Sequence, residues 1–344
     1  MNQATIQSHW NGAPSRTAAL SQGREGWHKR FMHKPLLAAV LPLLAALAPS
    51  LAAAAPPVAL ASEPKPLAPL EIVGQAPTAD WSAIAPADLL VMDLAPDAAG
   101  KLRRVVIQLL PPPFSQGWIG NIRKVAAAHW WDGTSINRVQ DNYVVQWGDA
   151  DGEDAAKAKP LPQGLTVVAQ DQYTAKAAPE GWANAQHDAY AAGTGVVLGW
   201  PVSYAPGGVA PVHCYGTVGV GRNMPPDTGT GAELYAVIGH APRQLDRNIA
   251  VVGRVIEGIE HLSSLPRGTG DLGFYKTAAE RTPIRAIRLG TDVPDLPHYQ
   301  YLSTESASFA RYADARANRR DPFYIRPAGG ADICNIPVPV RHAP

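Results

Sequence analysis

The chain has 344 residues, with 30 Lys and Arg against 29 Asp and Glu, a formal net charge of +1 and only two cysteines. With no Lys/Arg cluster outside the first residues, nucleic-acid binding and attraction to acidic membranes are not suggested. The 10 histidines show no paired zinc spacing, so neither a metal site nor a cofactor is expected. The length suits one well-cored domain with extensions.

At the N-terminus Lys29-Arg30, Met32 and His33-Lys34 precede an apolar run, Leu36 to Ala55, made almost wholly of Leu and Ala. A basic segment, an apolar segment and small residues at its end are the pattern of a secretory signal peptide, which assigns 1–55 to a signal region, with Met32 as the expected start. Ala52-Ala53-Ala54 and Ala59-Leu60-Ala61 offer small-x-small cleavage sites. The alternative is an uncleaved anchor, which Pro42, Pro49 and the terminal alanines disfavour. No Cys ends the run, so the chain is not a lipoprotein of the usual kind. Export places the protein in the periplasm. No other run approaches the ~18 apolar residues of a membrane span, so no membrane attachment is expected after cleavage. Residues 56–87, rich in Ala and Pro, read as a mobile linker.

A domain is expected over 88–291. Asp88–Leu94 and Arg103–Leu110 read as strands, Phe114–Trp130 as a helix with Ile119, Ile122, Val125, Ala126 and Trp130 on one stripe, and Ser135–Val139 and Tyr143–Trp147 as two further strands. Residues 150–212 read as inserted loops with one strand at Val196–Tyr204. Strands follow at His213–Val220, Ala232–Ile238, Ile249–Val255 and Pro283–Leu289, with a helix at Ile256–Leu265. The extension 292–344 carries a helix within Ser303–Arg320, with Phe309, Tyr312 and Ala313 on one face, and is expected to pack on the domain. In an exported protein Cys214 and Cys334 most simply pair; the alternative is two buried free thiols.

The most informative stretch runs from Trp131 to Asp149. A turn at Asp132-Gly133 leads into two strands from which Arg138, Tyr143 and Gln146 stand out. Arg138 supplies a permanent cation with a planar fork of donors, Tyr143 an aromatic wall, and Gln146 an amide that donates and accepts. No nucleophile–base pair lies among them, so they suit holding a peptide rather than cutting one. The stretch resembles the central motif of the cyclophilins, the peptidyl-prolyl cis/trans isomerases, which reads Asp-Gly, then Phe-His-Arg-Val/Ile, three residues, and Phe-Met/Val-x-Gln-Gly-Gly-Asp. Arg138, Gln146, Gly148 and Asp149 match outright and Tyr143 keeps the aromatic, whereas Asn137, Val144 and Trp147 depart from the pattern. Further on, Thr230-Gly231-Ala232-Glu233-Leu234-Tyr235 stands where the family has Asn-Gly-Ser-Gln-Phe-Phe. Gln244-Leu245-Asp246 stands for Trp-Leu-Asp, and Ile249 for a pocket His.

The resemblance spans about Asp88 to Gly290 and is weak across 150–212. It implies a mostly β fold, a single closed antiparallel barrel capped by two helices, here with loop insertions and a C-terminal extension. It further implies that Arg138 is catalytic and that Tyr143, Val144, Tyr235 and Leu245 seat the proline ring. Gln146 would hold the substrate backbone. Val220-Gly221-Arg222-Asn223 replaces a groove-lining segment, which makes Gly221 and Arg222 further substrate-binding residues, and Glu233 stands for the family's central Gln, where its charge would change the groove's electrostatics. Arg222 would select acidic or carbonyl-rich substrates or else sit in a loop salt bridge. The expected partners are proline-containing segments of exported polypeptides, handled by a monomer that assists their folding. The other reading is a cyclophilin-like peptide-binding or chaperone module with weak or no catalysis, which the changes at Glu233, Gln244 and Ile249 favour. Asp227-Thr228-Gly229 matches the aspartic-protease triplet, but no second copy supplies the paired carboxylate. Gly216, Gly219 and Gly221 suggest a phosphate loop, but no helix follows them.

Overall fold

The computed structural model describes residues 65–344. The signal region 1–55, its cleavage sites and the first residues of the expected linker lie outside them. Eight antiparallel strands close into a barrel. Around it run Thr217–Val220, Leu234–Val237, Val144–Gly148, Ser135–Val139, Thr282–Leu289, Leu89–Leu94, Arg103–Leu109 and Val251–Glu257, the last pairing back onto the first. The apolar runs reflect burial on both faces. Leu90, Met92 and Leu94 point into the barrel with Val105, Ile107 and Leu109, while Leu89 and Val106 point out against Ile84 and Tyr299.

One mouth is closed by the helix Gln116–Ala127, shorter than the expected Phe114–Trp130; it buries Ile119, Ile122, Val125 and Ala126 of the expected stripe together with Trp118, while Trp130 is buried beyond its end. Its indole donor Trp118 Nε1 reaches the carbonyls of Thr228 and Gly229 at 3.0 and 3.1 Å, which ties the helix to the loop before Leu234–Val237. The second cap is shorter than the expected Ile256–Leu265. The strand continues through Glu257, and Gly258 turns the chain at φ +81°, so only Glu260–Ser263 is helical. A Cβ at Gly258 would lie 2.1 Å from the Arg104 carbonyl, so the turn requires glycine here.

Residues 150–212 are not merely inserted loops. Trp182–Asn184, Gly193–Val197, Trp200–Ala205 and Gly208–Pro211 form a four-stranded antiparallel sheet. The single strand expected at Val196–Tyr204 is two strands joined by a tight turn at Leu198-Gly199, where φ is +52° and +83°. This sheet lies between barrel and tail. Trp200, Val202 and Val209 join the barrel core, and Val196 and Val212 pack with Phe309, Ile333 and Ile336.

The segment 65–87, expected to be linker, is structured. Pro69–Gly74 is a helix packed on the tail helix Ala307–Ala317, and Trp81–Ile84 pairs with Tyr299–Leu302, whose other edge carries Val340–His342. Ser306 caps the tail helix by accepting from Phe309 N–H at 3.0 Å, and Phe309, Tyr312 and Ala313 are buried as their spacing predicts. Cys214 and Cys334 form a disulfide that fixes the tail beside the barrel. Among the described residues no helix is long and apolar enough to cross a membrane.

Candidate active site

The turn at Asp132-Gly133 delivers the chain into Ser135–Val139, and the short turn at Asp141-Asn142 returns it as Val144–Gly148. Arg138 pairs across these strands with Gln146, and the register slips between Ile136 and Arg138. Such a slip leaves one extra residue on one strand and re-aims the side chains beyond it. Asn137 is that residue. Its side chain is buried with Oδ1 unpartnered, while Arg138 stands on the barrel's outer face.

Arg138 is held from three sides. Its Nε donates to the Leu272 carbonyl at 2.7 Å, one terminal nitrogen to Gln146 Oε1 at 3.2 Å, and the other to Gln140 Oε1. The guanidinium lies 5.2 Å from the Phe274 ring centre and 5.7 Å from that of Tyr143, close enough for cation–π attraction. No carboxylate among the described residues lies within ion-pair distance of it. Burial disfavours the charged form and lowers the Arg138 pKa, but a guanidinium stays protonated in proteins. Of its five N–H groups three are committed, which leaves one on each terminal nitrogen for a ligand.

Beside this cation lies an apolar cluster of Val144, Tyr235 and Val237, with Tyr143 and Ile249 packed on it. Tyr143, Val144 and Tyr235 are thus brought together as the sequence suggested. Leu245 is not in the cluster. It sits half-buried in the turn Arg243–Leu245, and Ile249, one turn further on, takes the wall position. Gln244 is exposed to solvent.

Gln146, Gly221 and Glu233 form the other end of the groove. Gly221 N–H donates to the Glu233 carbonyl at 2.8 Å, and a Cβ on Gly221 would come within 3.0 Å of Glu233 Cβ and 3.4 Å of Gln146 Nε2. Glu233 Oε1 accepts from the Asp149 backbone N–H at 2.6 Å. Burial, reinforced by the neighbouring Asp149 charge, pushes the Glu233 carboxyl up to about 8 despite that hydrogen bond and one with Gln146. At neutral pH the group is therefore mostly an uncharged acid, which removes much of the groove charge that the sequence implied. Arg222 has no salt bridge among the described residues. Three of its five N–H groups go to the carbonyls of Asn248, at 3.0 and 3.2 Å, and of Asn223, at 2.7 Å, which leaves one on each terminal nitrogen.

The protease-like triplet is a turn. Asp227 is exposed and accepts from the backbone N–H groups of Asn223 and Gly229 at 2.7 and 2.9 Å. Ile249, which stands at the family's pocket-His position, lines the wall, and three contributors escaped the sequence reading: Phe274 against Arg138, and Gln140 and the Leu272 carbonyl as its anchors. Phe274 and Leu272 come from a loop more than a hundred residues downstream, which local pattern cannot connect to Arg138. Gln140, two residues from Arg138 on the same strand face, was available to a period-two reading.

The sequence model of the cyclophilin type peptidyl-prolyl cis-trans isomerase/CLD family matches residues 98–288. Among solved structures the chain is similar to cyclophilin AquaCyp293 from Hirschia baltica, with a TM-score of 0.58 and 20% identity over 76% of this chain and 92% of that one. A cyclophilin type isomerase from Cryptosporidium parvum also matches, with a TM-score of 0.35 and 12% identity over 58% of this chain and 97% of that one. No curated protein matches the sequence.

Proposed function

The chain belongs to the cyclophilin-type peptidyl-prolyl cis/trans isomerase family, and from that premise we propose that Arg138 is its principal catalytic residue. Proline-containing peptides are the substrates of such an isomerase. An Xaa-Pro bond turns over a barrier of ~18–20 kcal/mol because amide resonance makes it partly double. At the twisted geometry resonance is lost and the prolyl nitrogen gains a localised lone pair. A donor aimed at that nitrogen therefore binds the transition state and neither planar form, which is the condition for catalysis without a covalent step. The two uncommitted N–H groups of Arg138, beside the apolar cluster of Tyr143, Val144 and Tyr235, are the observation that carries this reading.

In this arrangement the apolar cluster seats the proline ring, with Ile249 completing its wall. Gln146 holds the substrate backbone and braces Arg138. Gly221 gives the peptide access to the groove floor, and Leu245 lies at its margin. Arg222 presents a cation that loop carbonyls hold in place, with one N–H on each terminal nitrogen left to meet a substrate carbonyl. We further propose that the protein works as an exported monomer assisting the folding of other exported chains. Support for export comes from the N-terminal basic, apolar and small-residue pattern. Isomerisation of a proline tetrapeptide by wild-type protein and by Arg138→Ala tests the catalytic reading. Peptide binding by the wild type without any rate enhancement would favour a pure binding module.

A further inference from the structure

Tyr235 is unusual for a pocket wall in that its hydroxyl is not free. It makes a 2.9 Å hydrogen bond with His213 Nε2, and His213 Nδ1 lies 2.9 Å from Asp246 Oδ1. The same Asp246 oxygen accepts from the His213 backbone N–H at 2.9 Å. An ionised carboxylate only accepts, so Nδ1 donates to Asp246, and in the neutral imidazole Nε2 accepts from the phenol. Asp246 Oδ2 accepts from Arg243 Nε, and the terminal nitrogens of Arg243 donate to Asp188 at 2.9 and 3.1 Å. The relay is dry: His213 is 0% exposed, Asp246 and Arg243 3%, Tyr235 5% and Asp188 8%.

We propose that His213 is a positioning residue for proline binding, locking the Tyr235 ring as a fixed wall of the pocket through the Tyr235–His213–Asp246–Arg243–Asp188 relay. Three further observations support it. Gly219 is the cross-strand partner of Tyr235, and a Cβ there would fall 2.3 Å from the Tyr235 hydroxyl oxygen, so the hydroxyl reaches His213 only because residue 219 is glycine. The imidazole and phenol rings are nearly parallel, at 11° with centres 6.3 Å apart, which defines one ring orientation. The far end of the relay is anchored outside the barrel, since Asp188 belongs to the loop of the inserted sheet and Asp332 of the tail stands 4.0 Å from Arg243. A buried, fully paired network of this kind contributes geometric definition more reliably than net stability.

The inference rests on Tyr235 being a wall of the proline pocket. The test uses the full chain and an Ala-Pro tetrapeptide, with kcat and KM from NMR exchange and Kd from titration. Tyr235→Phe removes only the hydroxyl and should raise KM and Kd about three- to tenfold, with kcat changed less than twofold. His213→Leu should do the same alone and add nothing in the Tyr235→Phe background, whereas His213→Gln, which can still accept from the phenol, should recover part of the affinity. Should His213→Leu not fold, the same comparison is made with His213→Gln, whose residual effect must vanish in the Tyr235→Phe background. An unchanged KM in Tyr235→Phe, or His213 effects of equal size in both backgrounds, would overturn the lock while leaving the isomerase reading intact. A wild type that neither isomerises nor binds the peptide would overturn both.

Discussion

Replacing Arg138 by alanine removes the two N–H groups left free for substrate, together with three bonds that the protein makes to itself. If one of those free donors meets the prolyl nitrogen in the twisted state, the loss is that of a charge-assisted hydrogen bond, about 1.5–3 kcal/mol. At about 1.4 kcal/mol per tenfold change, kcat/KM should fall by roughly ten- to 150-fold. The internal bonds matter less. Arg138 is half-buried, its acceptors stand at the groove where water replaces the lost donors, and the core beneath is unchanged, so folding stability should shift by about 1 kcal/mol or less. Arg138→Lys keeps the charge but cannot hold the Leu272 carbonyl, Gln146 and Gln140 at once, so it should restore only part of the rate. Line-shape or exchange NMR on a proline tetrapeptide gives the rate free of a coupling protease, and a denaturant melt gives the stability. Wild-type kcat/KM in a stably folded Arg138→Ala variant would refute the assignment and make Arg138 a surface residue.

Glu233 gives a pH test. Its carboxyl titrates at about 8 in the fold, against an ordinary 4.5, chiefly because burial disfavours the charge. A raised acid binds its proton more tightly in the native state, so its contribution is full at low pH and is lost as pH rises from 4.5 through about 8. Thermal melts at several pH values should show Glu233→Gln gaining on the wild type across that window; a gap that stays constant with pH refutes the burial argument. The disulfide closes a loop with a sequence separation of 120, which in the chain-entropy model is worth about 5 kcal/mol. Free-thiol titration of unreduced, denatured protein should find none, and Cys334→Ser should lower stability by a sizeable part of that figure; two titratable thiols would contradict the pairing. For export, mass spectrometry of the periplasmic fraction should find a terminus between about Ala53 and Ser62, and an intact Met1 or Met32 would rule it out.

Barrel and groove were legible where the relevant contacts are local in sequence. Arg138 and Gln146 face each other because one hairpin brings them there, so residue type and spacing suffice to propose the pair. The apolar strands and the helix stripe were equally readable, because burial on a fixed period leaves its mark on the string. The inserted sheet was not. Val196 to Tyr204 is apolar enough to read as one strand, and the turn that splits it at Leu198-Gly199 places Leu198 at positive φ, where a leucine seldom sits. Segment 65–87 reads as linker because its strand Trp81–Ile84 is short and finds its partner only at Tyr299–Leu302, at the other end of the chain. His213 was invisible as a pocket residue for the same reason. Its two side-chain partners lie 22 and 33 residues away, and an isolated histidine before a cysteine carries no signal of either.

One departure from the family pattern, the tyrosine at 235, leads outward through a set of linked polar groups. A tyrosine in place of an aromatic without a hydroxyl demands an acceptor, which His213 supplies, and demands space, which Gly219 supplies. Histidine in turn needs its other nitrogen fixed, which falls to Asp246, and a buried carboxylate needs a counter-charge, which is Arg243. That arginine would itself be uncompensated on the far side without Asp188, and Asp188 exists there only because the inserted sheet does. The tail adds Asp332 to the same cation and crosslinks at Cys214, the residue next to His213. Each polar group thus creates an obligation that the next one meets, and the sequence of obligations runs outward from the pocket wall into both additions to the barrel. The extra elements are therefore tied chemically to the wall of the groove rather than merely appended to the domain, and changes in either of them have a physical route to peptide affinity that bypasses Arg138.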